Sequence, residues 1–170
     1  LRLWSAYSIL DSKKIISISA QTASDVVRHY SFADKKIKVT HLGYDHGVFN
    51  QNISDKEIMR VKNKYNIVND YLLFLSTLKP SKNIESLLVA WSKVFHRYPK
   101  VNLVIAGKKG WLFETIFNKV VELGIEKRVL FTDFVDEDDK PGLVSGATAF
   151  VMPSYWEGFG LDVLSSMACG

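Results

Sequence analysis

The sequence predicts an α/β fold built on a doubly wound parallel sheet, and two observations carry the prediction. Short apolar segments that read as strands alternate along the chain with longer segments of helical periodicity. The strand segments, of which 101–106 is the clearest, are runs suited to burial on both faces, as in a sheet covered by helices on each side.

The elements follow in order. Residues 14–19 read as a short strand and 22–30 as a helix, with Ser19 or Thr22 as its N-cap. Residues 37–40 form a second strand, ending in the loop His41-Leu42-Gly43-Tyr44-Asp45. The stretch 46–70 is polar and mixed, with a helical pattern over 54–65. A strand over 71–77 leads to a helix over 83–98, whose Ile84, Leu87, Leu88, Trp91 and Phe95 share one stripe. The strand 101–106 stops at Gly107. A helix over 112–123, a strand over 128–135, a short helix over 138–145 and a strand over 148–152 complete the alternation. No fixed-period repeat and no low-complexity tract interrupts it.

The composition is that of an ordinary globular chain, with 47% hydrophobic and 24% charged residues in 170. The net charge of +4, from 22 basic and 18 acidic residues, is mild. It suits anionic ligands or an anionic membrane surface no better than it suits a plain solvated surface, and nothing marks a nucleic-acid partner. Cys169 is the single cysteine, which excludes an internal disulfide and accords with a cytoplasmic setting. No apolar stretch approaches the roughly 20 residues of a membrane span. His29, His41, His46 and His96 lack metal-ligand spacing, so no metal site is expected. The chain opens on Leu1 and stops at Gly170 as a helix begins, and it is expected to be a piece of a larger protein.

In a parallel sheet of this kind, ligands bind beyond the carboxyl ends of the strands, so the loops 43–45, 77–83, 107–110, 134–138 and 154–160 are expected to carry the chemistry. The last such end is the most informative. The strand 148–152 stops at Pro153-Ser154, and Glu157-Gly158-Phe159-Gly160-Leu161 follows, opening an apolar helical segment. A strand, a glycine turn and a helix N-terminus make an anion site, because the first helical N–H groups are unsatisfied and the helix dipole is positive there. A carboxylate beside it accepts hydrogen bonds from sugar hydroxyls. Phosphate and sugar side by side point to a nucleotide-sugar.

The segment from Pro153 to Gly170 resembles the donor motif P-S-x-x-E-G-F-G-L-P-V-L-E-A-M-A-C-G of the retaining family-four glycosyltransferases of GT-B fold. It departs from that motif at Asp162, where the family carries Pro, and at Ser165, where the family carries a second Glu that binds the ribose. Further blocks match along nearly the whole chain. Leu73-Phe74-Leu75-Ser76-Thr77-Leu78-Lys79-Pro80-Ser81-Lys82-Asn83 resembles V-G-R-L-x-P-R-K-N, or its V-G-T-L-E-P-R-K-N variant, and Thr77 and Ser81 stand where the family normally carries Arg. Leu103-Val104-Ile105-Ala106-Gly107-Lys108-Lys109-Gly110-Trp111 resembles a block seen especially in mannosyltransferases. Phe131-Thr132-Asp133-Phe134-Val135 resembles F-x-G-x-V, with Asp133 in the glycine place.

The resemblance implies an incomplete GT-B protein. Residues 1–48 would end a first, acceptor-side Rossmann-like domain, and 49–170 would form most of a nucleotide-sugar-binding one. It implies catalytic roles for Glu157, holding the donor sugar, and Lys82, holding the diphosphate. Thr77, Gly107, Lys108, Val135, Ser154, Gly158, Phe159, Gly160, Leu161 and Ser165 would contact the donor. Each has a plainer rival. Glu157 is also a helix N-terminal acid, Lys108 a loop lysine and Val135 a core valine. Lys82 at a helix start opposes the dipole, so a bound anion explains it better than capping does. Ser165 is either a weak ribose partner or a small helix-packing residue, and Asp162 either crowds that position or has taken over the ribose contact. The implied activity is transfer of a sugar, mannose in the nearest resemblance, from a GDP- or UDP-linked donor to a saccharide or lipid-linked acceptor, with retention and without a cofactor. The setting would be the cytoplasm, with contact to the inner membrane face. A non-catalytic nucleotide-sugar-binding relative, favoured by the losses at Thr77 and Ser165, and a GT-B epimerase or phosphorylase are the alternatives.

Overall fold

Parallel pairing of the apolar runs gives two separate sheets in the computed structural model, which describes residues 2–170. The chain divides into two units. The first runs up to Tyr44 and includes Glu157–Leu161. It contains α1 (Arg2–Asp11), β1 (Ile15–Ser17), α2 (Ala20–His29) and β2 (Ile37–Val39). β1 and β2 pair in parallel, Ile15 opposite Ile37 and Ser17 opposite Val39. Ser19 is the N-cap of α2: its hydroxyl accepts from the Thr22 N–H at 3.1 Å. α1 was not anticipated, although Leu3, Tyr7 and Leu10 recur at helical spacing; with Trp4 they are exposed.

The second unit comprises Asp45–Trp156 and Asp162–Gly170. Its elements are α3 (Asp55–Lys64), β3 (Asp70–Leu75), α4 (Ile84–Val94), β4 (Val101–Ala106), α5 (Glu114–Glu122), β5 (Val129–Asp133), α6 (Lys140–Ser145), β6 (Ala149–Phe150) and α7 (Leu161–Ala168). The four strands pair in parallel in the order β5-β4-β3-β6. The chain therefore builds outward from β3 through β4 to β5, then returns across β3 to lay down β6. Alternate side chains separate two cores. Phe74, Leu103 and Ile105 pack with Leu88, Trp91, Ile116 and Val120 of α4 and α5. Tyr71, Leu73 and Val104 pack with Val61, Leu143 and Val144 of α3 and α6. This is the doubly wound sheet the sequence predicts.

Several boundaries differ from the expected ones, each for a local reason. α4 stops at Val94 instead of 98, because the chain tightens into a 3₁₀ turn over Phe95–Arg97 before Pro99. α5 starts at Glu114 instead of 112, because Leu112 has φ 56°. β5 stops at Asp133, whose φ of 56° turns the backbone out of the strand. The short helix begins with a 3₁₀ turn over Glu137–Asp139 and becomes α-helical from Lys140. Among the described residues no helix is long and apolar enough to cross a membrane.

A buried acid ties α3 to the start of α6. Asp139 is 2% exposed and receives Arg60 at 2.5 Å, Lys64 Nζ at 2.5 Å and the Tyr65 hydroxyl at 2.7 Å. Lys64 also reaches Asp136 at 2.7 Å, and the Tyr65 oxygen accepts from the Asp136 N–H at 3.2 Å. The residues between β5 and α6 are thereby fastened to α3. Burial alone raises the Asp139 carboxyl; the hydrogen bonds from Lys64, Tyr65 and Arg60 outweigh it and bring the pKa down to about 2.

A depressed carboxyl contributes stability that is present above its ordinary value of 3.8 and lost as pH falls toward 2. Asp139→Asn is expected to cost about 2 kcal/mol at neutral pH. That is below the usual figure for breaking a buried pair, because Arg60 and Lys64 stay about half exposed, at 47% and 43%, and rehydrate when released. Urea unfolding of both proteins from neutral to acid pH checks this: the gap should narrow below about pH 4.

Candidate functional site

The carboxyl ends of β3 and β4 meet in the second unit with almost no space between them. The ladder of paired strands runs past their formal ends: the Ser76 N–H donates to Ala106 O at 3.0 Å and the Leu78 N–H to Lys108 O at 2.9 Å. The Gly107 N–H donates across to Asp133 O at 2.8 Å. Gly107 has φ 138°, and a Cβ placed on it would stand 1.9 Å from Ser76 O. Only glycine tolerates both the dihedral and the contact.

Above this junction lies a cavity of about 320 Å³. Thr77, Gly107, Lys108 and Val135, four of the predicted donor contacts, line it together. Val135 is 2% exposed and belongs to the α3–α6 core, so only its surface toward the cavity is available. Lys108 lies over the Phe134 ring at 4.7 Å from its centroid, and Phe134 lines the same space. Lys109 turns away, pairing with Asp133 at 3.1 Å.

Ser76 and Lys140, which the sequence does not single out, also line the cavity, as do Phe134 and Glu137 of the expected strand-end loop 134–138, and Asp162, whose role the sequence leaves open. Ser76 falls inside the strand expected over 71–77; β3 stops at Leu75 and leaves it at the strand end. Lys140, which no residue pattern marks, opens α6 and pairs with Glu137 at 2.6 Å.

The remaining predicted residues group elsewhere. Lys82 ends a 3₁₀ turn over Pro80–Lys82. That turn is stitched to the loop after β6: the Tyr155 N–H donates to Ser81 O at 3.1 Å, and Asn83 Nδ2 to Pro153 O at 3.0 Å. Asn83 holds a left-handed conformation, φ 54°, and spends its side chain on this bridge instead of capping α4. The Ser154 hydroxyl is buried without a hydrogen-bond partner, a cost that a bound ligand would relieve. Glu157, Gly158, Phe159, Gly160 and Leu161 belong to the first unit. There Gly158 O accepts from the Thr22 hydroxyl at 3.1 Å, and Phe159 lies 5.9 Å from the His41 ring. Ser165 is 7% exposed within α7 and does not line the cavity.

A second recess, about 480 Å³, runs along β6 and the last turn of α7. It flanks the edge strand instead of the carboxyl strand ends, and among the charged residues none lines it. Of these two, the smaller cavity, with two lysines and two carboxylates, is the better equipped to bind a polar ligand. Among the described residues no three His, Cys, Asp or Glu side chains gather to hold a metal ion.

The family model described as Glycosyl transferases group 1 matches residues 55–170. The O-antigen chain mannosyltransferase B of Escherichia coli is 31% identical over 98% of this chain and 44% of its own length. The serotype-specific mannosyltransferase WbdA of Escherichia coli is 32% identical over 92% of this chain and 20% of its own. The chain thus spans less than half the length of these relatives. Among solved structures, Anabaena Alr3699/HepE in complex with UDP and glucose superposes with a TM-score of 0.85, at 19% identity, over 99% of this chain and 45% of that one. The sucrose-phosphate synthase of Thermosynechococcus elongatus gives 0.81 at 22% identity, over 99% of this chain and 42% of that one.

Gly107→Ala is the sharpest structural test of the cavity floor. The new methyl group cannot coexist with Ser76 O at 1.9 Å, so the two strand ends must part. The expected cost is about 3 kcal/mol or more in unfolding free energy, read from chemical denaturation.

Proposed function

The chain belongs to the glycosyl transferases group 1 family, and from that membership we propose that it forms the donor-handling part of a retaining glycosyltransferase. The donor is a nucleotide-sugar, GDP- or UDP-linked, and the sugar is a hexose, with mannose favoured by the mannosyltransferases to which the chain is similar. The acceptor is a saccharide or a lipid-linked saccharide, met on the cytoplasmic side of a membrane. The observation that carries the reading is the cavity at the carboxyl ends of β3 and β4, where Thr77, Gly107, Lys108 and Val135 converge inside the matched span.

The chemistry assigned to each residue follows from charge. When the bond from the sugar's anomeric carbon to the diphosphate breaks, negative charge builds on the diphosphate. Lys82, held by the stitched turn, and the backbone N–H groups from Gly158 to Leu161 stabilise that charge electrostatically. Glu157 accepts hydrogen bonds from the sugar hydroxyls and fixes which face of the anomeric carbon meets the acceptor. Lys108 and Thr77 contact the nucleotide, the Val135 backbone reads the base, and the Ser154 hydroxyl completes the polar lining. No resident cofactor is assigned. A non-catalytic binding relative stays as the second reading, because Thr77 supplies a hydroxyl where an arginine would clamp phosphate bidentately.

Three measurements on the complete protein test this. Glu157→Gln keeps the shape and loses the charge, so sugar transfer should fall by about 1.5–3 kcal/mol in activation free energy, the scale of a charge-assisted hydrogen bond. Wild-type rates in that variant would remove Glu157 from the site. Lys82→Ala should weaken nucleoside diphosphates and nucleotide-sugars alike in calorimetry, since it addresses the part they share. Product analysis by NMR should show the donor's anomeric configuration retained, with rates unchanged by EDTA. Donor binding without transfer or hydrolysis would favour the binding relative.

A further inference from the structure

We infer that Asp162 is the carboxylate that holds the ribose of the bound nucleotide, and that position 165 has been released from any such task. The inference rests on the nucleotide-sugar reading above.

Asp162 stands in the first turn of α7 and lines the cavity with Thr77, Gly107 and Val135. Ser165 lies three residues on, nearly one helical turn deeper, and is packed away at 7% exposure. A ribose presents two adjacent hydroxyls. Each donates a proton, and an ionised carboxylate with two oxygens accepts both. The cavity's lysines only donate, so they answer phosphate and carbonyl oxygens and not these hydroxyls. Glu137, the cavity's other acid, stands in the 3₁₀ turn after β5. Asp162 is the carboxylate set on a regular element beside the strand ends. Lys108, on the loop after β4, faces the same space and offers the complementary charge for the nucleotide's anionic part.

The test is calorimetry on the complete protein with GDP, UDP and their 2′,3′-dideoxy analogues. Wild type should bind the better ribonucleotide about tenfold more tightly than its dideoxy form, the scale of a net hydrogen bond to a charged acceptor. Asp162→Asn should bring that ratio to within about twofold of unity. It should leave dideoxynucleotide affinity nearly unchanged, which also shows that the variant is folded. Asp162→Glu, which restores a carboxylate, should recover part of the preference. A ratio unaffected by Asp162→Asn, or one abolished by Ser165→Ala, would overturn the assignment while leaving nucleotide binding intact. Failure of the wild type to bind any of the four ligands would overturn the nucleotide reading itself, and this inference with it.

Discussion

The approach of Gly107 to Ser76 is the constraint on which the second unit's cavity depends. It follows from register. β3 and β4 pair without slippage from Asp70 opposite Val101 to Leu75 opposite Ala106, so the residues that leave the two strands emerge side by side. Any side chain at 107 would strike backbone, and the strand ends would have to separate. Because they do not, Thr77 and Lys108 reach over the same space, and the ladder continues through the bond from Leu78 to Lys108. The return of the chain across β3 to form β6 makes β3 the point where the winding reverses, the place at which open α/β sheets leave a crevice.

Two polar fastenings then hold the loops that border this space. The Asp139 cluster binds the connection after β5 to α3, which keeps Val135 pressed into the core while Phe134 and Glu137 face the cavity. The bridge from Asn83 to Pro153 does the same for the Lys82 turn and the loop after β6. Both work through side-chain hydrogen bonds to groups remote in sequence, so neither is visible as a local pattern.

The sheet was legible in the sequence because strands buried on both faces need continuous apolar runs, and 71–75 and 101–106 supply them. The stripe Ile84, Leu87, Leu88, Trp91 was legible for the same reason at helical period, and all four are buried. What failed were the ends. Leu112 and Asp133 adopt left-handed dihedrals that their residue types do not announce. At 133 the resembling motif carries glycine, so the strain was hinted at by the motif and masked by the aspartate, whose carboxylate meets Lys109. α1 went unread because its only signal in the sequence is the spacing of Leu3, Tyr7 and Leu10, which are exposed. Of the site, the strand-end residues Thr77, Gly107, Lys108 and Val135 were legible from position. Glu137 was legible only as part of the loop 134–138, and Lys140 was not, since its place depends on how Asp139 anchors the loop.

The donor motif also shows why resemblance along a sequence is weaker evidence than packing. Its glutamate and glycines, 157 to 161, group with the first unit, whereas Asp162 onward groups with the second. Gly158 therefore answers to a packing demand besides any ligand: an added Cβ would lie 3.1 Å from Ile18 Cδ1, and its carbonyl is held by Thr22. The Ile18 methyl is the far end of a flexible side chain and can move, so an alanine there perturbs the first unit only modestly. A functional deficit from a glycine substitution in this stretch consequently mixes packing with chemistry. Glu157→Gln keeps the side chain's size while removing its charge and one acceptor oxygen, so it leaves the glycine packing untouched, which makes the carboxylate the informative position in the motif.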